Sequence, residues 1–255
     1  MMTVMELYRA LDRAMPRSLS AEWDNDGLMC CPSPEKTVRR VLVTLDITER
    51  VVEYAIKGDF DVILSHHPLV FRPIKALNPE NAVPRKLIKL IQNGIAAMSF
   101  HTRFDALTGG INDALAEALG LCSPVPFGDG VEQPMGRIGD VTPCTLAEFS
   151  EKVKKALGAP VVLYSGNLPV RRVAVLGGSG SDFASAAKAA GADTYVTGSL
   201  GYHQMSDAKE TGINLIEAGH YHTENLAIPR LAALVNKADP DIETEIIDSN
   251  EIFAI

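Results

Sequence analysis

The sequence predicts an α/β fold: two similar α/β domains, with mostly parallel or mixed sheets, flanking a central metal cleft. Three observations carry that expectation. Short apolar runs rich in Val, Ile and Leu alternate with amphipathic segments along the 255 residues. A spacing pattern in the first half returns in the second. All six histidines fall at the ends of expected strands or just after them, where open α/β sheets bind ligands.

Composition bounds the function classes. Hydrophobic residues make up 46% and charged residues 22%, which excludes a disordered tail or a coiled coil. No apolar run approaches the ~18 residues of a membrane span. The opening MMTVMELYRALDRAM carries two acids and two arginines on an amphipathic pattern, unlike a secretory leader. The four cysteines include the adjacent pair Cys30–Cys31 and no C-x-x-C, which suits a reducing compartment and argues against a thiolate zinc site. A cytoplasmic location is therefore expected. The balance of 24 basic against 32 acidic residues, net −8, opposes a nucleic-acid partner.

Taken in order, the elements have local causes. Thr3 and Glu6 form a capping box, and Val4, Leu7, Tyr8 and Leu11 make one apolar stripe of a first helix. Val41 to Leu45 reads as a buried strand, Thr48 to Lys57 as a helix ending at Gly58, and Asp61 to Ser65 as a second strand. Pro84 suits the first position of a helix that stops at Asn93-Gly94. A strand over Ile95 to Phe100 follows, then a helix from about Gly110 to Leu119 with Gly120 just past its end. The aperiodic, Pro- and Gly-rich stretch from Cys122 to Pro134 is the expected boundary. The domains are accordingly 1–125 with 226–255, and 126–225. Beyond it come a helix Leu146 to Leu157, a strand Arg171 to Leu176, a helix Asp182 to Ala190 and a strand Asp193 to Thr197. The tail, Ile242 to Ile255, reads as strand material.

The two halves echo each other. Val41-Leu-Val leads twenty residues later to Asp61-Val-Ile-Leu-Ser65, and Val173-Ala-Val leads twenty residues later to Asp193-Thr-Tyr-Val-Thr197. Each half then reaches a Gly-Ile strand opening, at Gly94-Ile95 and Gly212-Ile213. Each of those strands ends in a histidine followed four residues on by an acid: His101 with Asp105, and His220 with Glu224.

These residue types point to metal chemistry. Adjacent side chains of an extended segment point to opposite sides, so His66 and His67 either serve different ions or divide into one ligand and one supporting group. His220 and Glu224 converge if the chain turns helical there. One zinc-like ion takes four protein ligands, or three with an open position. Five donors overfill one ion and suit two that share a bridging carboxylate. The mixed imidazole and carboxylate set fits two divalent ions of Zn, Mn, Fe, Co or Ni.

At these residues the sequence resembles the GTP cyclohydrolase 1 type 2 (Nif-three-like) dinuclear-metal proteins, over nearly the whole chain. The resembling motifs are Trp23-Asp-Asn-Asp-Gly27-Leu28, Ser65-His-His-Pro68, His101-Thr-Arg-Phe-Asp105, Gly110-Ile-Asn112, Tyr195-Val-Thr-Gly198 and Gly219-His-Tyr-His-Thr-Glu224. The resemblance implies a metal pair bound by His66, His67, Asp105, His220 and Glu224, two flanking α/β domains and a toroidal homohexamer. Two departures stand out. Ser199 occupies a position where many members have an acid, and Arg103 one where Asn is common. An arginine there either grips a substrate phosphate or simply pairs with Asp105 or a surface acid. His101 is expected to orient a metal ligand or transfer a proton, His203 to act as acid or base, contact substrate or simply open a helix, and His222 to face solvent. Gly177-Gly-Ser-Gly180 lacks the full spacing of a phosphate-binding loop and reads as a strand-to-helix turn.

The function implied by the resemblance is hydrolytic opening of the GTP ring, a metal-held hydroxide attacking the purine. Phosphoester or other nucleotide hydrolysis, and a metal-binding scaffold without turnover, are the alternatives.

Overall fold

Local signals set the elements. Thr3 caps helix Val4–Ala14: its hydroxyl accepts from the Glu6 N–H at 3.3 Å, and the Glu6 carboxylate accepts from the Thr3 N–H at 2.8 Å. Thr145 and Glu148 repeat that box for Leu146–Leu157, which ends at Gly158 in the left-handed region. Thr48 caps Glu49–Lys57, accepting from the Val51 N–H at 3.3 Å.

The computed structural model describes residues 1–128 and 134–253. In chain order the strands are β1 (Gly27–Cys30), β2 (Arg40–Thr44), β3 (Val62–Ser65), β4 (Ala96–Ser99), β5 (Cys122–Phe127), β6 (Gly136–Cys144), β7 (Leu163–Ser165), β8 (Val170–Leu176), β9 (Thr194–Thr197), β10 (Asn214–Glu217) and β11 (Glu243–Ile246). They form two mixed sheets, each built around parallel strands of the kind that alternation with helices favours. The chain divides into two units: Met1–Phe104 with Ile228–Glu251, and Asp105–Ala227 with the residues from Ile252 onward.

The first unit carries the order β1-β4-β3-β2-β11. Strands β2, β3, β4 and β11 run parallel, and β1 closes one edge antiparallel to β4. Helices Glu49–Lys57 and Ala82–Gln92 bury Val51, Val52, Ala55, Leu87 and Leu90 against Leu42, Ile63 and Ala97. Helices Val4–Ala14 and Ile228–Ala238 pack against each other, burying Leu7, Leu11, Leu231 and Val235.

The second unit carries β5-β6-β8-β9-β10-β7, with β8, β9 and β10 parallel and the outer pairs antiparallel. Alternation along β8 divides its core between two faces. Val173 and Val175 pack with Phe149, Leu115 and Ile216 in one cluster; Ala174 and Leu176 pack with Tyr195, Leu215 and Ala187 in the other.

The repeat seen in the sequence has a physical basis in the parallel triplets β2-β3-β4 and β8-β9-β10. The Asp61 carboxylate accepts from the Arg39 and Arg40 N–H groups at 2.8 and 3.1 Å. The Asp193 carboxylate accepts from the Arg171 and Arg172 N–H groups, both at 2.9 Å. In each triplet an acid entering the second strand satisfies the backbone opening the first.

The edges are where sequence and structure differ. Strands β1, β5, β6 and β7 lie outside the alternating pattern and make the antiparallel pairs. The Pro- and Gly-rich stretch expected as a boundary begins as β5, whose Pro124 and Pro126 an edge strand tolerates because it pairs on one side only. Asp129–Gln133 of that stretch lie outside the described residues, as do Ala254 and Ile255 of the tail. Because β5 pairs into the second sheet, the units divide at Phe104/Asp105, earlier than the 125/126 read from composition, and again at Ala227/Ile228. Among the described residues, no helix is long and apolar enough to cross a membrane.

Candidate functional site

In the first unit, the carboxyl ends of β3 and β4 deliver three imidazoles. Past β3 the backbone keeps its ladder to the neighbouring strand, His66 N–H donating to Thr44 O at 3.3 Å and His67 N–H to Leu45 O at 3.0 Å. Phe100 N–H continues β4 by donating to Ser65 O at 3.0 Å, which sets His101 beside them. The ring centroid of His66 lies 4.8 Å from that of His67 and 5.1 Å from that of His101. One ligand nitrogen from each of the three lies within 4.8 Å of the others.

The Nδ1 atom of each histidine faces an oxygen. His66 Nδ1 lies 3.1 Å from the Phe100 carbonyl, His67 Nδ1 2.7 Å from an Asp46 carboxylate oxygen, and His101 Nδ1 3.0 Å from Asp24 Oδ1. A carbonyl or carboxylate only accepts, so each Nδ1 carries a proton, and Nε2 is the atom through which the neutral tautomer would bind a cation. That tautomer, held by an oxygen on the far side, is the one a ligating histidine adopts.

The segment preceding β1 holds His101 in place. Asp24 accepts from the Thr102 N–H at 3.0 Å and from its hydroxyl at 2.6 Å, besides the His101 contact. Burial works to raise the Asp24 carboxyl, but the hydrogen bonds from His101 and Thr102 and the His101 charge outweigh it and hold it down at about 2. Asp26 accepts from Arg103 Nε at 2.9 Å and from Arg17 at 2.9 Å. The motif Trp23-Asp-Asn-Asp-Gly27 is thus a clamp on residues 101–103.

In the second unit, the carboxyl end of β10 turns through Gly219 into the short helix His220–Glu224, as the spacing expects. His220 Nε2 and Glu224 Oε2 are 3.0 Å apart, and the Glu224 carboxylate is buried. The turn after β8 makes room for it. Gly178, at φ +66°, donates its N–H to Thr223 Oγ1 at 3.0 Å, and a Cβ there would collide with Glu224 Oε1. At Gly198 a Cβ would come within 2.7 Å of the His220 Cα. Tyr195 buttresses the turn from beneath, donating its hydroxyl to Gly180 O at 2.8 Å. The stretch from Gly177 to Gly180 therefore serves as a strand-to-helix turn shaped around a carboxylate. Asp105, on helix Thr102–Ala106, is also buried; its backbone carbonyl accepts from Asn112 Nδ2 at 3.2 Å, and Asn112 Oδ1 accepts from the Gly177 N–H at 2.8 Å.

Two expectations change, those for Arg103 and His222. Arg103 does not reach out to a phosphate: its side chain is fully buried, paired with Asp26 at 2.9 Å and Asp12 at 2.7 Å, bonded to Met15 O at 2.8 Å and stacked over Phe100. A guanidinium so committed braces the first unit. His222 is half-buried against the Tyr221 ring rather than fully exposed. His203 stands exposed on the short helix Tyr202–Ser206 beside the Tyr202 ring, and none of the metal-capable groups among the described residues includes it. Ser199, where an acid is common, is half-buried and its N–H donates to Gly178 O at 3.1 Å.

Sequence reasoning missed Asp46 and the role of Asp24. Asp46 lies one residue past an expected strand, and only the fold brings it against a ring twenty-one positions on. The Asp24 signal was present in the motif, but its purpose was not.

The described residues thus include His, Asp and Glu groups able to hold a metal ion. The donor set, neutral imidazoles with buried carboxylates and no thiolate, suits borderline divalent cations.

Comparison with known proteins finds matches over nearly the whole chain. The family model described as Duf34/NIF3 (NGG1p interacting factor 3) matches residues 2–252. A Clostridium perfringens protein named GTP cyclohydrolase 1 type 2 homolog is 34% identical over 253 residues, covering 95% of each chain. Among solved structures, a hypothetical protein of Staphylococcus aureus superposes with a TM-score of 0.90 at 28% identity, covering 100% of this chain and 99% of that one. Reduced HcgD from Methanocaldococcus jannaschii superposes with a TM-score of 0.83 at 30% identity, covering 96% and 97%.

Proposed function

The chain belongs to the Duf34/NIF3 family, and from that premise we propose that it is a hydrolase that uses two divalent cations to act on a purine nucleotide, with GTP ring opening the favoured reaction. His66, His67, Asp105, His220 and Glu224 hold the cations, drawn from Zn, Mn, Fe, Co and Ni. The observation that carries the reading is the set of three clustered imidazoles whose Nδ1 atoms are each committed to an oxygen.

When bound, a cation pair supplies Lewis acidity that brings the pKa of water down toward about 7. The chain's own residues do the rest. Asp46 and the Phe100 carbonyl fix the rings of His67 and His66, and Gly178 admits Glu224. His101 carries a proton at Nε2, with Asp24 stabilising its cationic form across Nδ1. His203 is the second proton carrier, for a ring nitrogen of the substrate. The protein works as a cytoplasmic, toroidal homohexamer without a nucleic-acid partner.

The test is product analysis of the metal-loaded protein against a nucleotide panel. Formate release signals ring opening. Phosphate release without formate replaces it with ester hydrolysis, and no turnover on any nucleotide leaves a metal-binding scaffold.

A further inference from the structure

Trp23 is the single tryptophan of the chain, and it is 63% exposed. Phe71 is 44% exposed, and the two rings meet edge to face with centroids 6.1 Å apart. Both also meet the His101 imidazole edge to face, Trp23 at 6.1 Å and Phe71 at 6.2 Å. Two large apolar rings thus stand in solvent beside the imidazole cluster, where burying them would have been favourable.

Their placement is held from both sides. Asp24, next to Trp23, is buried under Thr102 and His101. Asn25 donates its side-chain N–H to the Val70 carbonyl, one residue before Phe71. The clamp that orients His101 therefore also fixes the two rings relative to it. The segment that follows Phe71 is exposed and carries Arg72 and Lys75, positive charge on a chain of net −8.

We propose that Trp23 and Phe71 form a stacking platform for the heteroaromatic ring of the substrate, with Arg72 and Lys75 drawing its anionic groups. Aromatic side chains accept any flat base on a π-face, which gives affinity without demanding one base. At an interplanar angle of 74° the two rings would meet a flat base differently, one stacking by its face and the other touching by its edge. The platform rests on the nucleotide reading above and specifies how that substrate is held; the cations play no part in it.

The test uses the lone indole as its own reporter. The full-length protein, chelated and then metal-loaded, is titrated with guanosine, GTP and inorganic triphosphate while Trp23 emission is followed. Saturable quenching by guanosine and GTP, with none by triphosphate, is expected in both metal states. Phe71→Ala should weaken GTP binding by about 10- to 100-fold at unchanged metal content, and Phe71→Tyr should restore it. Equal quenching by triphosphate, or unaltered affinity in Phe71→Ala, overturns the platform. Trp23 emission that is blue-shifted and turns red on dilution overturns it too, because a second copy then covers the ring. Guanosine quenching without turnover of any nucleotide would keep the platform and remove the hydrolase; turnover with an unchanged KM in Phe71→Ala would do the reverse.

Discussion

The triplets β2-β3-β4 and β8-β9-β10 are the same device used for different ends. Each is three parallel strands, opened by an aspartate that satisfies two backbone N–H groups. At the carboxyl ends they diverge. The first delivers three imidazoles, each oriented from behind by an oxygen. The second delivers a glycine-lined turn with a carboxylate packed into it. One unit positions its donors through hydrogen bonds, the other through the absence of side chains. The lesson is that a shared backbone plan leaves donor chemistry to the few residues just beyond each strand.

The largest expected effect falls on the second unit. Glu224→Ala should abolish turnover and lower metal content from two ions per chain to one, because four of the five proposed ligands, His66, His67, Asp105 and His220, remain; elemental analysis beside an activity assay reads both. Retention of two ions and full activity in that variant would break the division of labour. Next is Arg103→Ala, which removes the one fully buried partner of the Asp26 carboxylate and leaves it to the partly exposed Arg17, and should cost about 3 kcal/mol of stability by denaturant unfolding. A specific rise in KM for nucleotide at unchanged stability would return Arg103 to the phosphate-gripping role.

Asp46→Asn sharpens the contrast from the first side. It removes the carboxylate behind His67 and should weaken metal binding about 10- to 100-fold, measured by competition with a chelating dye. The smallest effect is expected at Asp61. Burial raises its carboxyl, but the Arg39 and Arg40 N–H groups and the Lys36 ammonium outweigh it and hold it below the ordinary value. The resulting stabilisation is present above the unfolded pKa of about 3.9 and drains away as pH falls through the lower folded value. Asp61→Asn should therefore cost about 1 kcal/mol at neutral pH, with the gap closing below pH ~4 in acid unfolding curves.

What was legible in the sequence follows from range. The parallel strands and their helices are written locally, in periodicity and in caps such as Thr3, Thr48 and Thr145. The antiparallel edges are not: β6 contains two glycines and a proline, β7 has three residues, and both depend on a partner strand that periodicity does not name. At the site, a histidine at a strand end announces itself by type and position. Its orienting partner does not, since Asp46 and Asp24 meet their rings only through long-range packing. Arg103 misleads because an arginine beside candidate ligands looks functional until its two acid partners, Asp26 and Asp12, are seen.

The central claim is that His66, His67, Asp105, His220 and Glu224 jointly hold two cations. Anomalous diffraction at the metal edge, from crystals of protein purified without chelator, tests it most directly. Two peaks about 3.5–4 Å apart, each within bonding distance of members of that set, are the expected result. A single peak, or peaks ligated by other residues, contradicts it.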